Sequence, residues 1–159
     1  MIKHLVLDID GVLTDGKLIY SSQGKVYKVF GPHDKDGLKL IKNYVDIKFI
    51  TADKTGYPIT FARIVKDWGF DERQLHIVTE EERMDWFISN YNLWETAFMG
   101  DGIHDAPILK IVRAGITPAN ARIEARSVAK YVTPSKSGEG AVLDACLWLE
   151  QVIHGMVSV

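Results

Sequence analysis

Asp8-Ile9-Asp10-Gly11 sets two carboxylates two residues apart at the end of an apolar run, Leu5-Val6-Leu7. Two neighbouring acids attract a hard divalent cation, and a carboxylate whose charge is offset by such an ion can attack phosphorus. On an extended strand alternate side chains share a face, which puts Asp8 and Asp10 on the same side. Gly11 allows the chain to turn sharply behind them. Taken alone, the motif is met equally by a strand-to-loop turn in which Asp10 caps backbone amides. Two further stretches carry comparable chemistry: Thr51-Ala52-Asp53, and Gly100-Asp101-Gly102-Ile103-His104-Asp105. Each closes an apolar segment, Ile47–Ile50 in one case and Thr96–Met99 in the other.

Positioning these three groups requires three strands that end along one edge. The apolar, β-branched stretches Leu5–Leu7, Ile47–Thr51, Leu75–Val78, Thr96–Gly100, Ala114–Ile116 and Lys130–Thr133 read as strands. Helical patterns alternate with them over Asp36–Tyr44, Lys54–Trp68, Glu80–Asn90, Ile103–Val112, Ala121–Val128 and Ala141–Ile153. The pattern puts Leu38, Leu40 and Ile41 inward on the first helix, and Met84, Phe87 and Ile88 inward on the third. Pro58 is tolerable in a first helical turn. Strand-helix alternation predicts an α/β fold with a doubly wound parallel sheet, and ligands bind such sheets at the strands' carboxyl ends. Lys17–Tyr20 and Lys25–Phe30, joined by Ser21-Ser22-Gln23-Gly24, break the rhythm as a β-hairpin over about 17–30. Both of its faces carry apolar groups, so it needs cover from another subunit or from a substrate. Gly31–Gly37 is a loop whose His33, Asp34 and Lys35 are candidates to face a substrate.

The chain has 159 residues, 47% hydrophobic and 25% charged, which suits a single domain over 1–159 with a real core. A net charge of −2, with no dense Lys/Arg run, gives no footprint for nucleic acid. No apolar run approaches membrane-spanning length, and the first strand begins at once, leaving no room for a leader. One cysteine, Cys146, excludes an internal disulfide and suits a reducing compartment. The expected location is cytoplasmic.

The order of the three motifs, their strand context and their spread over nearly the whole chain are similar to the haloacid dehalogenase superfamily of phosphohydrolases. The hairpin after Asp8-Ile9-Asp10-Gly11-Val12-Leu13-Thr14-Asp15-Gly16 resembles its small branch without a cap domain. That branch holds the 3-deoxy-D-manno-octulosonate 8-phosphate and sialic-acid-type 9-phosphate phosphatases. The resemblance implies a Mg²⁺-dependent phosphomonoesterase acting on a small phosphorylated sugar or sugar acid. Asp8 would be the nucleophile that forms an aspartyl phosphate, and Asp10 the general acid and base. Asp8, the Asp10 carbonyl and Asp101 would hold the Mg²⁺. Thr51 and the Ala52 amide would hold the phosphoryl group, and Asp105 would orient the metal's surroundings. The superfamily's phosphate-binding lysine is missing from Thr79–Asp85, where Arg83 is the best positional match.

The chain departs from that branch at three further places. Ala52 and Asp53 stand where members carry glycine and then arginine or glutamate. Glu139 replaces an arginine in the segment Ser137–Val142, and Gly102 a second aspartate. Two basic-to-acidic changes argue against the octulosonate itself as substrate, because Asp53 would repel a carboxylate. They also motivate an alternative, a non-catalytic binding or oligomerisation module on the same fold. The resemblance further implies a homotetramer, with neighbouring subunits closing over each site.

Overall fold

The computed structural model describes residues 1–159. Its strands are β1 (His4–Asp8), β2 (Thr14–Ser21), β3 (Gly24–Phe30), β4 (Asp46–Thr51), β5 (Leu75–Ile77), β6 (Thr96–Met99), β7 (Ala114–Thr117) and β8 (Tyr131–Val132). The helices are α1 (Asp34–Ile41), α2 (Tyr57–Phe61), α3 (Arg83–Asn90), α4 (Ala106–Ile111), α5 (Ile123–Arg126) and α6 (Ala141–Ile153). Six strands form one parallel sheet in the order β5-β4-β1-β6-β7-β8, while β2 and β3 pair antiparallel as a separate ribbon.

Side-chain alternation in the central strands feeds a core on each face of the sheet. Leu5 and Leu7 of β1 lie level with Ile47 and Phe49 of β4 and with Ala97 and Met99 of β6. These six pack with Leu38 and Ile41 of α1 and with Val142 and Leu149 of α6. The intervening Val6, Ile50 and Phe98 join Phe87 of α3 and Ile108 and Leu109 of α4 on the other face. The chain leaves β1 for β4 on one side and returns through β6 on the other. The carboxyl ends of these three strands therefore flank the switch point, where the sheet leaves a crevice.

Several helices are shorter than their sequence patterns predict. The segment expected from Lys54 begins at Tyr57, keeps Pro58 in its first turn and loosens into π-type turns over Ala62–Asp67. The helix expected from Glu80 starts only at Arg83, because Glu82 folds back to accept from the Thr79 amide and hydroxyl. Leu40 and Ile88, expected inward, are exposed. An eight-residue helix lays one narrow stripe on a sheet, and α3 spends that stripe on Arg83 and Phe87. Cys146 is a buried core residue, and no helix is long and apolar enough to cross a membrane.

Candidate active site

β1 ends at Asp8, and the alternation that would have carried Asp10 to the same face ends with it. The amides of Val12, Leu13 and Thr14 all donate to the Ile9 carbonyl, at 3.2, 2.9 and 3.1 Å, which closes a tight turn. Gly11 takes φ +84° in that turn, and a side chain there would run into the Asp101 carboxylate. Asp8 consequently faces the α3 and α4 side, whereas Asp10 swings toward the hairpin. This corrects the expectation of two acids on one face.

On the first side, Asp8 Oδ1 accepts from the Ile9 amide at 3.0 Å, and Asp8 Oδ2 lies 3.4 Å from Arg83 Nη1. The same Arg83 nitrogen donates to Asp105 Oδ1. Asp105 Oδ2 accepts from the amides of Asp101 and Gly102, both at 2.9 Å. Gly100 leaves room for this carboxylate, since a side chain there would overlap it. Asp8, Arg83 and Asp105 are all buried, while Asp101 is half-buried. Carboxylate oxygens of Asp8, Asp101 and Asp105 come within 4.8 Å of one another. Such crowding disfavours ionisation. Burial first, then the Asp105 charge, push Asp101 up to about 7. Burial and the same neighbour raise Asp8 well above the usual carboxylate range, against the pull of Arg83. Burial opposes the Arg83 charge too, but Asp8 and Asp105 outweigh it.

On the second side, the sequence reading missed two lysines. Lys28 of β3 is buried with its ammonium 2.9 and 3.1 Å from the two Asp10 oxygens and 2.8 Å from Asp53 Oδ2. Lys25 pairs with Asp53 from the same strand. Burial alone would raise Asp53. Hydrogen bonds from Lys25, Lys28 and the Gly56 amide instead hold it below the usual carboxylate range. Asp53 is thus a neutralised strut, not the repelling charge expected of it. A signal was present in the hairpin: Lys28 shares an alternation phase with Val26, opposite Tyr27 and Val29. The ribbon turns the Val26–Lys28 phase inward and leaves Leu18, Ile19, Tyr20, Tyr27 and Val29 exposed.

Thr51 closes β4 fully buried, its hydroxyl accepting from the Asp53 amide at 3.1 Å and donating to Asp10 Oδ2 at 3.4 Å. The crevice between the two sides measures about 340 Å³. Besides Asp8, Asp10, Asp53, Arg83, Asp101 and Asp105, it is lined by Leu18, Lys25, Ala52, Glu80, Gly102 and His104. His104 Nε2 approaches Glu80 to 3.1 Å at the rim. The loop His33-Asp34-Lys35 does not line it, and Asp34 is buried elsewhere. Glu139 is exposed and likewise outside the lining.

A doubly wound α/β protein with an acid-rich, cation-competent crevice at its switch point is the class that fold and site define. Residues 88–145 match the family model of a haloacid dehalogenase-like hydrolase. A 3-deoxy-D-manno-octulosonate 8-phosphate phosphatase of Yersinia pestis is 28% identical over 154 residues, covering 91% of this chain and 78% of that protein. The solved structure of a "probable yrbi family phosphatase" from Pseudomonas syringae is 31% identical, with a TM-score of 0.81 over 97% of this chain and 87% of its own. The octulosonate phosphatase of Moraxella catarrhalis, solved with magnesium ion, phosphate ion and KDO, is 27% identical. Its TM-score is 0.77, covering 98% of this chain and 91% of its own. The chain belongs to the haloacid dehalogenase-like hydrolases, among the YrbI-type phosphatases.

Proposed function

We propose that the chain, as a single domain over 1–159 with a hairpin flap and no cap, is a Mg²⁺-dependent phosphomonoesterase for a small phosphorylated sugar or sugar acid. KDO 8-phosphate and nonulosonate 9-phosphates are the model substrates. One observation carries this reading: Asp8 and Asp101 crowd together beside the buried Arg83, with Asp10 and Thr51 on the facing wall. The donor set fits a hard dication, because buried oxygen ligands with raised affinity for protons gain from a compact positive charge. Asp8, Asp101 and the Asp10 carbonyl would hold Mg²⁺. Asp105 has both oxygens engaged by Arg83 and two amides, and so orients these groups instead of binding the ion. When bound, Mg²⁺ offsets the repulsion between Asp8 and a phosphate dianion.

A carboxylate oxygen of Asp8 attacks phosphorus as the bond to the leaving oxygen breaks. The carboxyl of Asp10 gives that oxygen its proton, and the sugar departs as an alcohol. Asp10, now a carboxylate, takes a proton from water as the water attacks the aspartyl phosphate. Phosphate leaves and Asp8 is regenerated. Arg83, whose buried Nε lacks a partner, and the Thr51-Ala52 corner hold the peripheral oxygens, where charge sits in the loose transition state.

The outward apolar face of the hairpin supports a homo-oligomer, which we read as a tetramer. A lone buried cysteine accords with work in the cytoplasm.

The test is phosphate release from a panel of sugar and sugar-acid phosphates, with Mg²⁺ or chelator, for wild type and Asp8→Asn. Turnover needs Mg²⁺ and disappears in Asp8→Asn, which keeps its circular dichroism spectrum. Near wild-type turnover by Asp8→Asn would overturn the mechanism.

A further inference from the structure

Lys28 takes no part in the reaction as written, yet it holds the acid that does. We propose that Lys28 is a positioning residue for proton transfer, fixing the Asp10 carboxylate against the hairpin so that it faces the leaving-group oxygen. The inference rests on Asp10 being the acid-base group of the proposed function.

Three observations carry it. First, an ammonium group has three protons to donate. Lys28 gives two of them to Asp10 Oδ2 and the Thr60 hydroxyl, each at 3.1 Å, and its charge pairs with Asp10 Oδ1 at 2.9 Å and Asp53 Oδ2 at 2.8 Å. A buried ammonium held by two hydrogen bonds and two ion pairs has little freedom, and what it holds is held firmly. Second, Lys28 has no solvent-exposed side-chain area and does not line the crevice, whereas Lys25 does. Lys28 therefore cannot reach a substrate and must act through its neighbours. Third, the packing is built around it. A side chain at Gly56 would strike both the Asp53 carboxylate and the Lys28 stem, so the glycine keeps that passage open.

Asp10 needs such a hold because it stands on the turn after β1 and not on the strand. The Thr51 hydroxyl, at 3.4 Å, is a long contact to rely on. Small displacements of a reacting group cost large factors in rate. The tether also makes the hairpin part of the machinery. The ribbon shares no ladder with the main sheet, and Lys28 connects it to the acid.

Leaving-group dependence tests the proposal. Phenyl phosphate and p-nitrophenyl phosphate differ chiefly in leaving-group basicity, and only the phenolate needs a proton to depart. Leaving-group release in the first turnover, with Mg²⁺ saturating, is compared for wild type, Lys28→Met, Lys28→Arg, Thr60→Val and Asp10→Asn. Lys28→Met should lose roughly tenfold to a hundredfold on phenyl phosphate, within the range general acid catalysis supplies, and far less on p-nitrophenyl phosphate. Lys28→Arg recovers part of that loss. Thr60→Val, which preserves both charge and shape, moves the same way by a smaller factor and keeps the test alive if Lys28→Met fails to fold. If the Lys28 and Thr60 variants slow both esters equally, or neither, while Asp10→Asn discriminates between them, the positioning role is wrong and the proposed function stands. An Asp10→Asn that does not discriminate removes the acid itself, and the inference falls with it.

Discussion

Replacing Arg83 with alanine removes the positive charge from the buried acid cluster and leaves Asp8 and Asp105 facing each other at 7% and 2% exposure. Arg83, the candidate phosphate cation by its place on the helix, is in the fold also the counter-charge of two buried acids. Breaking a buried charge pair by deleting one partner typically costs about 3–5 kcal/mol, because the remaining charge is stranded away from water. A domain of this kind has about 5–15 kcal/mol in all. The variant should therefore unfold at markedly lower urea and melt roughly 10 °C or more below wild type when Mg²⁺ is absent. Saturating Mg²⁺ should return much of the loss, since the ion supplies positive charge to the same carboxylates and binds only the folded chain. Arg83→Lys should lie between, keeping the charge without the fork. Arg73→Ala is the control: Arg73 pairs with Asp71 on the surface, where solvent already screens the charges. Urea unfolding followed by circular dichroism, with and without Mg²⁺, measures all four proteins. If Arg83→Ala unfolds with the midpoint of Arg73→Ala, the account of Arg83 as the counter-charge of the cluster is refuted.

Two further predictions concern the hairpin and the first helix. Val29→Asp puts a charge on the exposed apolar face of the hairpin, and should dissociate the assembly and lower activity together. Sedimentation equilibrium decides this, and a fully active wild-type monomer would sink the oligomer. Asp34 is fully buried; burial lifts its carboxyl to about 6, against the pull of the Val142 and Leu143 amides. The folded chain then holds a proton that the unfolded chain releases nearer pH 4. The stability this gives is whole below about pH 4 and is lost as pH rises through about 6, some 3 kcal/mol at most. Asp34→Asn should flatten that part of the pH profile in urea unfolding, and an unchanged slope between pH 4 and 7 would contradict the assignment.

The strands and their order of chemistry were legible in the sequence because each acid or hydroxyl follows directly on its own apolar run. Asp8, Thr51 and Asp101 are each local to a strand end, and a period-two pattern places strand ends well. Asp10 was misplaced because alternation was extended one residue past the point where three amides converge on Ile9. Arg83 was found as a position but not as a counter-charge. Its burial depends on where α3 begins, and the Thr79–Glu82 turn delays that start in a way hydrophobic spacing does not report. Lys25 and Lys28 escaped entirely. The lysines and Asp53 belong to separate elements, and nothing in either segment alone says that they meet.

That meeting changes what the crevice can accept. Asp53, read in isolation, excludes an acidic sugar. In the fold, Asp53 and Asp10 are two carboxylates facing two ammonium groups, and only one of those cations, Lys25, also lines the open space. Glu139, the other acidic departure, is exposed and away from the lining. Neither change therefore presents an uncompensated negative charge to a substrate within one subunit. The motive for a non-catalytic module weakens for the same reason, because Asp53 is ion-paired with two lysines and Glu139 stands outside the crevice. Under the proposed function, the sugar end of a substrate would meet Lys25 and Leu18 on the hairpin wall, and Glu80 and His104 on the rim opposite, since these line the same crevice. With one cation on the first wall and an acid-imidazole pair on the second, discrimination between neutral and acidic sugars would pass to these four side chains, and the hairpin that carries two of them also holds Asp10, the acid of the proposed mechanism.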